Sequence, residues 1–552
     1  SITDNAAAHA AAGSTGDAEQ GIGRPRRELG LWDCIAIIVG IIVGAGIFST
    51  APFIASKVSA PGMLYLAWGL GGVLSIIGAL CYAELATTYP REGGDYVYLN
   101  RAYGPWAGFL FAWARLSIIH TGSIGSVAYV FAAYAANCWQ FGSNTRLVYA
   151  ALAVLLLSGL NILGLRAGKW MQNVLTVAKI LGLAGIVLAA LVSGGNSNAP
   201  VYAGAWQWQG FPLAMVLILY TYGGWEDAAY VAAEVRDPRH NIVRSLLIGT
   251  ALVMVLYLLV NGAYLYALGL QNLRTSETVA ASVVATALGQ GHYERLPVLV
   301  MSVVVIISTL GSVNGGILTG ARISYAMGCE HRLFGLLGRW GRRTSSPVWA
   351  LVAQGLVTLG LVVLLAGGEG GEHGFEILIK FVSPVFWLFF LMTAVSLFVL
   401  RWRDAAVERP FRVPLYPVLP LVFCCSCGFM LYNSINYALA VRVSAELRSL
   451  PADFHVPASL EGQLAFSGED EERSLTFNGV MSSASRDQLL ALGPEFEYQQ
   501  AIQELYARSQ RERNTALWAG GILLTGLPLY WLSRTLGARV GRSPSGGASP
   551  GA

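Results

Sequence analysis

The hydrophobic pattern of this chain runs in long apolar blocks separated by short polar stretches. Twelve blocks are long enough to cross about 30 Å of hydrocarbon as helices. They fall near 33–55, 63–87, 106–137, 147–163, 170–193, 211–233, 245–268, 297–326, 347–366, 375–399, 415–440 and 515–533. The pattern predicts an all-α polytopic membrane protein of 12 transmembrane spans. Residues 274–291 are too weakly apolar for a span and predict a short surface helix before the eighth. Residues 1–27 and 537–552 lack an apolar core and predict disordered tails, the first of them no signal peptide. The transporter-sized core runs over 28–441, and the last span over 514–536. Between them, residues 442–513 are polar, with 12 acidic and 7 basic side chains. This insertion has partial helical periodicity over 484–513, and 466–485 reads as loop.

Loop cations orient the spans. With the N-terminus inside, the inside segments carry 22 Lys and Arg, and the short outside loops carry only Lys57, Arg146, Arg274 and Arg295. The positive-inside rule therefore places both termini in the cytoplasm and 442–513 outside it. Arg outnumbers Lys 32 to 4 beside abundant Ala and Gly. That composition points to a GC-rich bacterial genome and so to the cell inner membrane.

Composition narrows the function classes. Hydrophobic residues make up 55% of the 552 and charged residues 12%, with mean hydropathy +0.54. The net charge of +4 leaves no cation excess to displace counterions, which excludes a nucleic-acid binder. The seven cysteines form no CxxC pair and the seven histidines no HxxxH pair. No metal site, disulfide framework, cofactor or catalytic constellation follows. Cys424, Cys425 and Cys427 read as small packing residues.

The 64 glycines change the picture most. Gly44 and Gly46 lie in the middle of the first span, Gly223 and Gly224 in the middle of the sixth. A glycine costs a helix about 1 kcal/mol against alanine. One reading is close helix packing. The other is a five-plus-five inverted repeat whose first and sixth spans unwind at the midplane. Unwound ends offer N–H groups to a carboxylate and carbonyls to an ammonium, the two charges of an α-amino acid.

The neighbouring motifs resemble a known family. Besides Val43-Gly44-Ala45-Gly46-Ile47-Phe48 and Tyr222-Gly223-Gly224-Trp225, the chain carries Glu84-Leu85-Ala86, Gly93-Gly94-Asp95-Tyr96 and Gly104-Pro105. Further on come Glu234-Val235-Arg236-Asp237-Pro238-Arg239-His240-Asn241, Gly311-Ser312-Val313-Asn314-Gly315 and Glu408-Arg409-Pro410-Phe411-Arg412-Val413-Pro414. Together these resemble the amino acid–polyamine–organocation superfamily, and within it the L-type amino acid transporter group. The resemblance covers roughly 28–440 and the last span. It implies a LeuT-like fold and alternating access, with a small L-amino acid and the bilayer as partners. Animal members bond a heavy chain near the position of Cys138, but the flanking sequence here differs, so no heavy-chain subunit is expected.

Carried over by residue, the resemblance places the substrate carboxylate at N–H groups around Gly44, Ala45 and Gly46. The amine meets carbonyls near Ile42, Val43, Tyr220 and Thr221, beside Tyr222, Gly223 and Gly224. Tyr220 and Trp225 stand where the family has aromatic gates; packing aromatics is the plainer reading. Ser308 and Asn314 line the region that holds sodium in sodium-coupled relatives. Lys179 lies nine residues past Trp170, about 13 Å along a helix, and a lysine that deep points to function. The resemblance gives it the place of a sodium ion.

Glu226 and Asp227 depart from the family pattern. They suit a cationic side chain, a proton-linked carboxylate, or pairing with a cation such as Arg115. Adjacent helical residues point about 100° apart, so one of the two is expected to face the site. His120 reads as a satisfied interior residue or a proton relay. Glu84 and Glu234, with Arg91, Arg236 and Arg239, mark a cytoplasmic salt-bridge gate or a solvated rim. The sequence thus predicts a sodium-independent amino acid exchanger or uniporter, with proton coupling left open. The alternatives are a cationic amino acid or polyamine antiporter, and an amino acid sensor signalling through 442–513.

Overall fold

The computed structural model describes residues 27–44, 46–91, 93–195, 206–276, 279–288, 295–341, 343–365, 374–439, 442–447, 460, 463–467, 473–479, 481–491 and 496–540. Both expected tails and several parts of the insertion lie largely outside these.

Among the described residues, eight helices are long and apolar enough to cross a membrane: Pro61–Thr88, Pro105–Cys138, Thr145–Leu163, Leu165–Val192, Pro238–Thr275, Leu296–Glu330, Ile377–Arg403 and Val418–Leu439. Two shorter apolar helices, Leu31–Ile42 and Val348–Leu364, join them. The short helix expected before the eighth span forms at Val279–Leu288, but not as a surface helix: Val279, Ala280, Ala281 and Val283 are buried in the core.

The bundle has an apolar core that also holds its buried polar side chains, and it exposes apolar ones, as lipid demands. In Leu165–Val192 the buried positions include Gln172, Thr176, Lys179 and Leu183, spaced three or four apart on one face. The opposite face exposes Val177, Leu181 and Leu188. A residue every three or four positions returns to the same side of a helix, so one stripe meets the core and the other meets acyl chains.

Helix Leu31–Ile42 lies inside the bundle. It packs against Leu165–Val192, Pro238–Thr275 and Arg295–Glu330 and stops after Ile42, where Val43 leaves helical geometry. The chain resumes as the short helices Gly46–Ser49 and Ala51–Lys57. The sixth predicted span breaks in the same way: Phe211–Thr221 ends, and after Gly224 a 3-10 helix runs over Trp225–Glu234. Gly224 takes φ +112°, a left-handed conformation that suits glycine.

The acids expected at a gate or rim are buried in ion pairs with other partners than those anticipated. Glu84 accepts from Arg401 Nε at 2.7 Å and from the Val413 N–H at 2.7 Å, with Arg409 Nε 3.3 Å away. Glu234 accepts from Arg322 Nε at 2.7 Å. Arg91, Arg236 and Arg239 are exposed instead. Glu84 and Glu234 are 1% and 0% exposed, so a solvated rim does not describe them.

The insertion corrects another expectation. Where 466–485 reads as loop, the structure has strands. β1 (Arg442–Leu447), β2 (Leu464–Ser467) and β3 (Arg473–Asn478) form an antiparallel sheet in the order β1-β3-β2. Val443 and Leu464 both stand opposite Phe477. In β3 Leu475 and Phe477 alternate with Ser474 and Thr476, a period of two that is short and hidden among charges. Helix Ser483–Leu490 follows, with Ser482 Oγ accepting from the Ser485 N–H at 3.0 Å. Leu475, Phe477, Leu489 and Ile502 share a small core, and one helix, Phe496–Val540, runs from that core into the last apolar segment.

Candidate functional site

A helix that stops inside a bundle leaves its final carbonyls without intrahelical donors. In the first broken helix, side chains from two other helices supply them. Lys179 Nζ donates to Gly40 O at 2.7 Å, Val43 O at 2.6 Å and, across the site, Ser308 O at 2.9 Å. Ser308 Oγ donates to Val43 O at 2.8 Å. Ser312 Oγ bonds Gly40 O at 2.9 Å and also lies 3.0 Å from Ile41 O. An ammonium has three N–H donors and no acceptor, and Lys179 directs one to each of three carbonyls while 0% exposed. It does not snorkel.

The expected companions divide. Ser308 joins Lys179. Asn314 does not: its amide donates to Gly168 O at 3.1 Å and Gln172 Oε1 at 2.9 Å, and its Oδ1 accepts from Asn161 at 2.8 Å. It lies six residues past Ser308, more than one and a half turns along the helix. Ser312 was not singled out by sequence reasoning, although it lies one turn beyond Ser308 on the same helix face. Tyr257 was missed too. Its hydroxyl bridges Ile42 O at 2.9 Å and Thr221 O at 3.3 Å, tying the two broken helices together. Nothing local in the apolar run around it marks that role.

Between the broken helices lies a cavity of about 150 Å³. One water needs roughly 10–15 Å³ of such space, so a molecule of about ten heavy atoms fits. Ile42, Gly44, Gly46, Tyr220, Thr221, Gly223 and Gly224 line it. Ala45 lies outside the described residues. The helices approach closely here: a Cβ on Gly46 would sit 2.6 Å from Thr221 Cγ2. Tyr220 faces the cavity. Tyr222 does not, packing on Trp68 and Tyr257 with its hydroxyl 3.1 Å from Trp68 O. Trp225 lies among Tyr82, Phe390 and Phe423 and is absent from the cavity lining.

The cavity also collects charge. Both Glu226 and Asp227 line it, with Arg115 and His120. The expectation that one carboxylate would face away does not hold: both border the cavity, which extends from the break beside Gly224 to Thr319 on the Arg295–Glu330 helix. Glu226 Oε2 accepts from the Gly224 N–H at 3.0 Å, and Asp227 Oδ2 from Thr319 Oγ1 at 3.0 Å. Arg115 stands 3.9 Å from Glu226 Oε1 and 3.9 Å from Asp227 Oδ1. Its guanidinium donates to the Tyr230 hydroxyl and to His120 Nδ1, the latter at 3.0 Å. Tyr230 in turn donates to Asp95 Oδ2 at 2.8 Å.

The chain is similar to known proteins over its core. A family model described as amino acid permease matches residues 29–447, which leaves out most of the insertion and the final helix. The b(0,+)-type amino acid transporter 1 of Homo sapiens is 30% identical over 406 residues, covering 72% of this chain and 80% of the relative. The large neutral amino acids transporter small subunit 2 of Mus musculus is 30% identical over 419 residues, covering 72% and 75%.

Proposed function

Since this chain belongs to the amino acid permease family and is a transporter, not an enzyme, we propose that it moves an L-amino acid by sodium-independent alternating access, as an exchanger or uniporter. The reading takes a LeuT-like, five-plus-five arrangement of 12 spans in the cell inner membrane, both termini cytoplasmic. Substrate occupies the cavity between the two broken helices. Its carboxylate meets the N–H groups at the start of the helix from Gly46, where the dipole favours an anion. Its ammonium meets carbonyls at the ends of Leu31–Ile42 and Phe211–Thr221.

The observation that supports this most is the seat of Lys179. A cation fixed by the carbonyls of Gly40, Val43 and Ser308 occupies the position where a sodium-coupled transporter needs an ion between the first and eighth spans. The charge is already present, so no ion has to enter. Uptake of labelled L-amino acids into proteoliposomes, against a panel of internal amino acids, tests the reading. Trans-stimulated uptake that is equal in sodium and in choline is expected. Strict sodium dependence overturns it. Binding without any counterflow would favour a sensor.

A further inference from the structure

Two carboxyl groups, Glu226 and Asp227, face one guanidinium, Arg115, across the cavity. His120 Nε2 lies 2.7 Å from Gly316 O, which can only accept, so that nitrogen carries the proton. His120 Nδ1 lies 3.0 Å from Arg115 Nη1, which can only donate, so that nitrogen is bare. The hydrogen bonds therefore fix His120 as neutral imidazole. Among the described lining residues this leaves Arg115 as the cation facing Glu226 and Asp227. Arg115 is also shared, through the Tyr230 hydroxyl, with Asp95. Lys179 offers nothing, since its three donors are used on carbonyls.

Each carboxylate has one oxygen tied and one left over. Gly224 N–H holds Glu226 Oε2 and Thr319 holds Asp227 Oδ2. Among the described residues no hydrogen bond reaches Glu226 Oε1 or Asp227 Oδ1, and Arg115 stands off both at 3.9 Å. A charge buried without a partner is costly, so the arrangement suits a second cation arriving with the ligand.

We propose that Glu226 and Asp227 form a side-chain subsite that selects an amino acid bearing a second positive charge, an ammonium or a guanidinium. This rests on the reading of the cavity as an amino acid site, with the α-carboxylate and α-ammonium held by the broken helices. The backbone ends serve every amino acid alike. The acid pair, at the side of the cavity, distinguishes them.

The test compares ligands of equal shape and different charge on the full chain purified in detergent. Arginine is set against citrulline and lysine against norleucine, by calorimetry, with counterflow in proteoliposomes alongside. Arginine is expected to bind at least tenfold tighter than citrulline. The double substitution Glu226→Gln, Asp227→Asn is expected to cut that ratio at least tenfold, with citrulline binding showing that the variant is folded. The wild-type ratio stands as a test even if the variant does not fold. Citrulline binding as well as arginine overturns the subsite, as does an unchanged ratio in a folded variant. Citrulline binding that takes up a proton, without preference for arginine, makes the pair a proton site and also overturns it. Leucine exchange without charge preference removes only the subsite. Failure of every α-amino acid to bind or exchange removes the subsite and the transport reading together.

Discussion

Lys179 shows what one side chain contributes. Its three hydrogen bonds are charge-assisted, each worth roughly 1.5–3 kcal/mol when its partner would otherwise be left bare. They hold the end of Leu31–Ile42 against the Arg295–Glu330 helix. Lys179→Ala is expected to lower uptake at least 100-fold while leaving a monodisperse, helical protein by size exclusion and circular dichroism. Near-normal uptake in proteoliposomes would remove the lysine from the mechanism. Gly46 acts by absence: an added methyl would stand 2.6 Å from Thr221 Cγ2 and 3.0 Å from its hydroxyl oxygen. Gly46→Ala should therefore cut uptake about tenfold or more, as overpacking by one carbon costs about 1–3 kcal/mol. Adding Thr221→Ala should restore part of it. A double variant no better than the single one would mean that the loss has another cause. Both residues were legible in the sequence, since a lysine and a glycine pair are out of place in an apolar span. Ser312 and Tyr257 were not, because a serine or tyrosine in a span is ordinary until its partner is known.

At the scale of elements, the ends of the helices away from the insertion are laced by ion pairs between distant segments. Glu84 joins Pro61–Thr88 to Arg401 and Arg409 near the end of Gly374–Arg403, 317 residues from Arg401 in sequence. Removing one member of a buried pair costs about 3–5 kcal/mol, because the other charge stays behind. Glu84→Ala should lower thermal stability in detergent by several degrees, whereas Arg239→Ala, at an exposed position, should leave it within a degree. Equal effects would contradict the buried pairing. Asp404, beyond the helix, accepts from Arg101 and, at 2.7 Å, from Tyr89. The Arg101 hydrogen bond leads in holding its carboxyl below the usual carboxylate range. A depressed carboxyl contributes stability that is complete above the ordinary value near 4 and is lost as pH falls through the lower folded value. Arg101 is half exposed, so the contribution is at most about 1 kcal/mol. Unfolding scans from pH 7 to pH 3 should show wild type approaching Asp404→Asn only below about pH 4. A constant gap over that range would exclude the linkage.

At the scale of the whole molecule, orientation is the largest expectation to test. In a background without exposed cysteines, Ser483→Cys in the insertion should react with an impermeant maleimide on intact cells. Arg339→Cys should react only after permeabilisation, and the reverse pattern would invert the topology. The sequence by itself determined the membrane class and the placing of the apolar segments, and it marked the two glycine pairs and the lysine as out of place. Each of these is a local violation or repetition whose cost is set by the bilayer, which treats every segment alike. The tertiary structure decided which groups meet: Lys179 with Gly40, Val43 and Ser308, Glu226 and Asp227 with Arg115, Glu84 with Arg401. It also decided that Asn314 belongs to another cluster, that both acids face the cavity and that Leu464–Ser467 and Arg473–Asn478 are strands. Such pairings join residues tens to hundreds of positions apart. Their free energy depends on a separation of a few ångströms, which no run of neighbouring residues encodes.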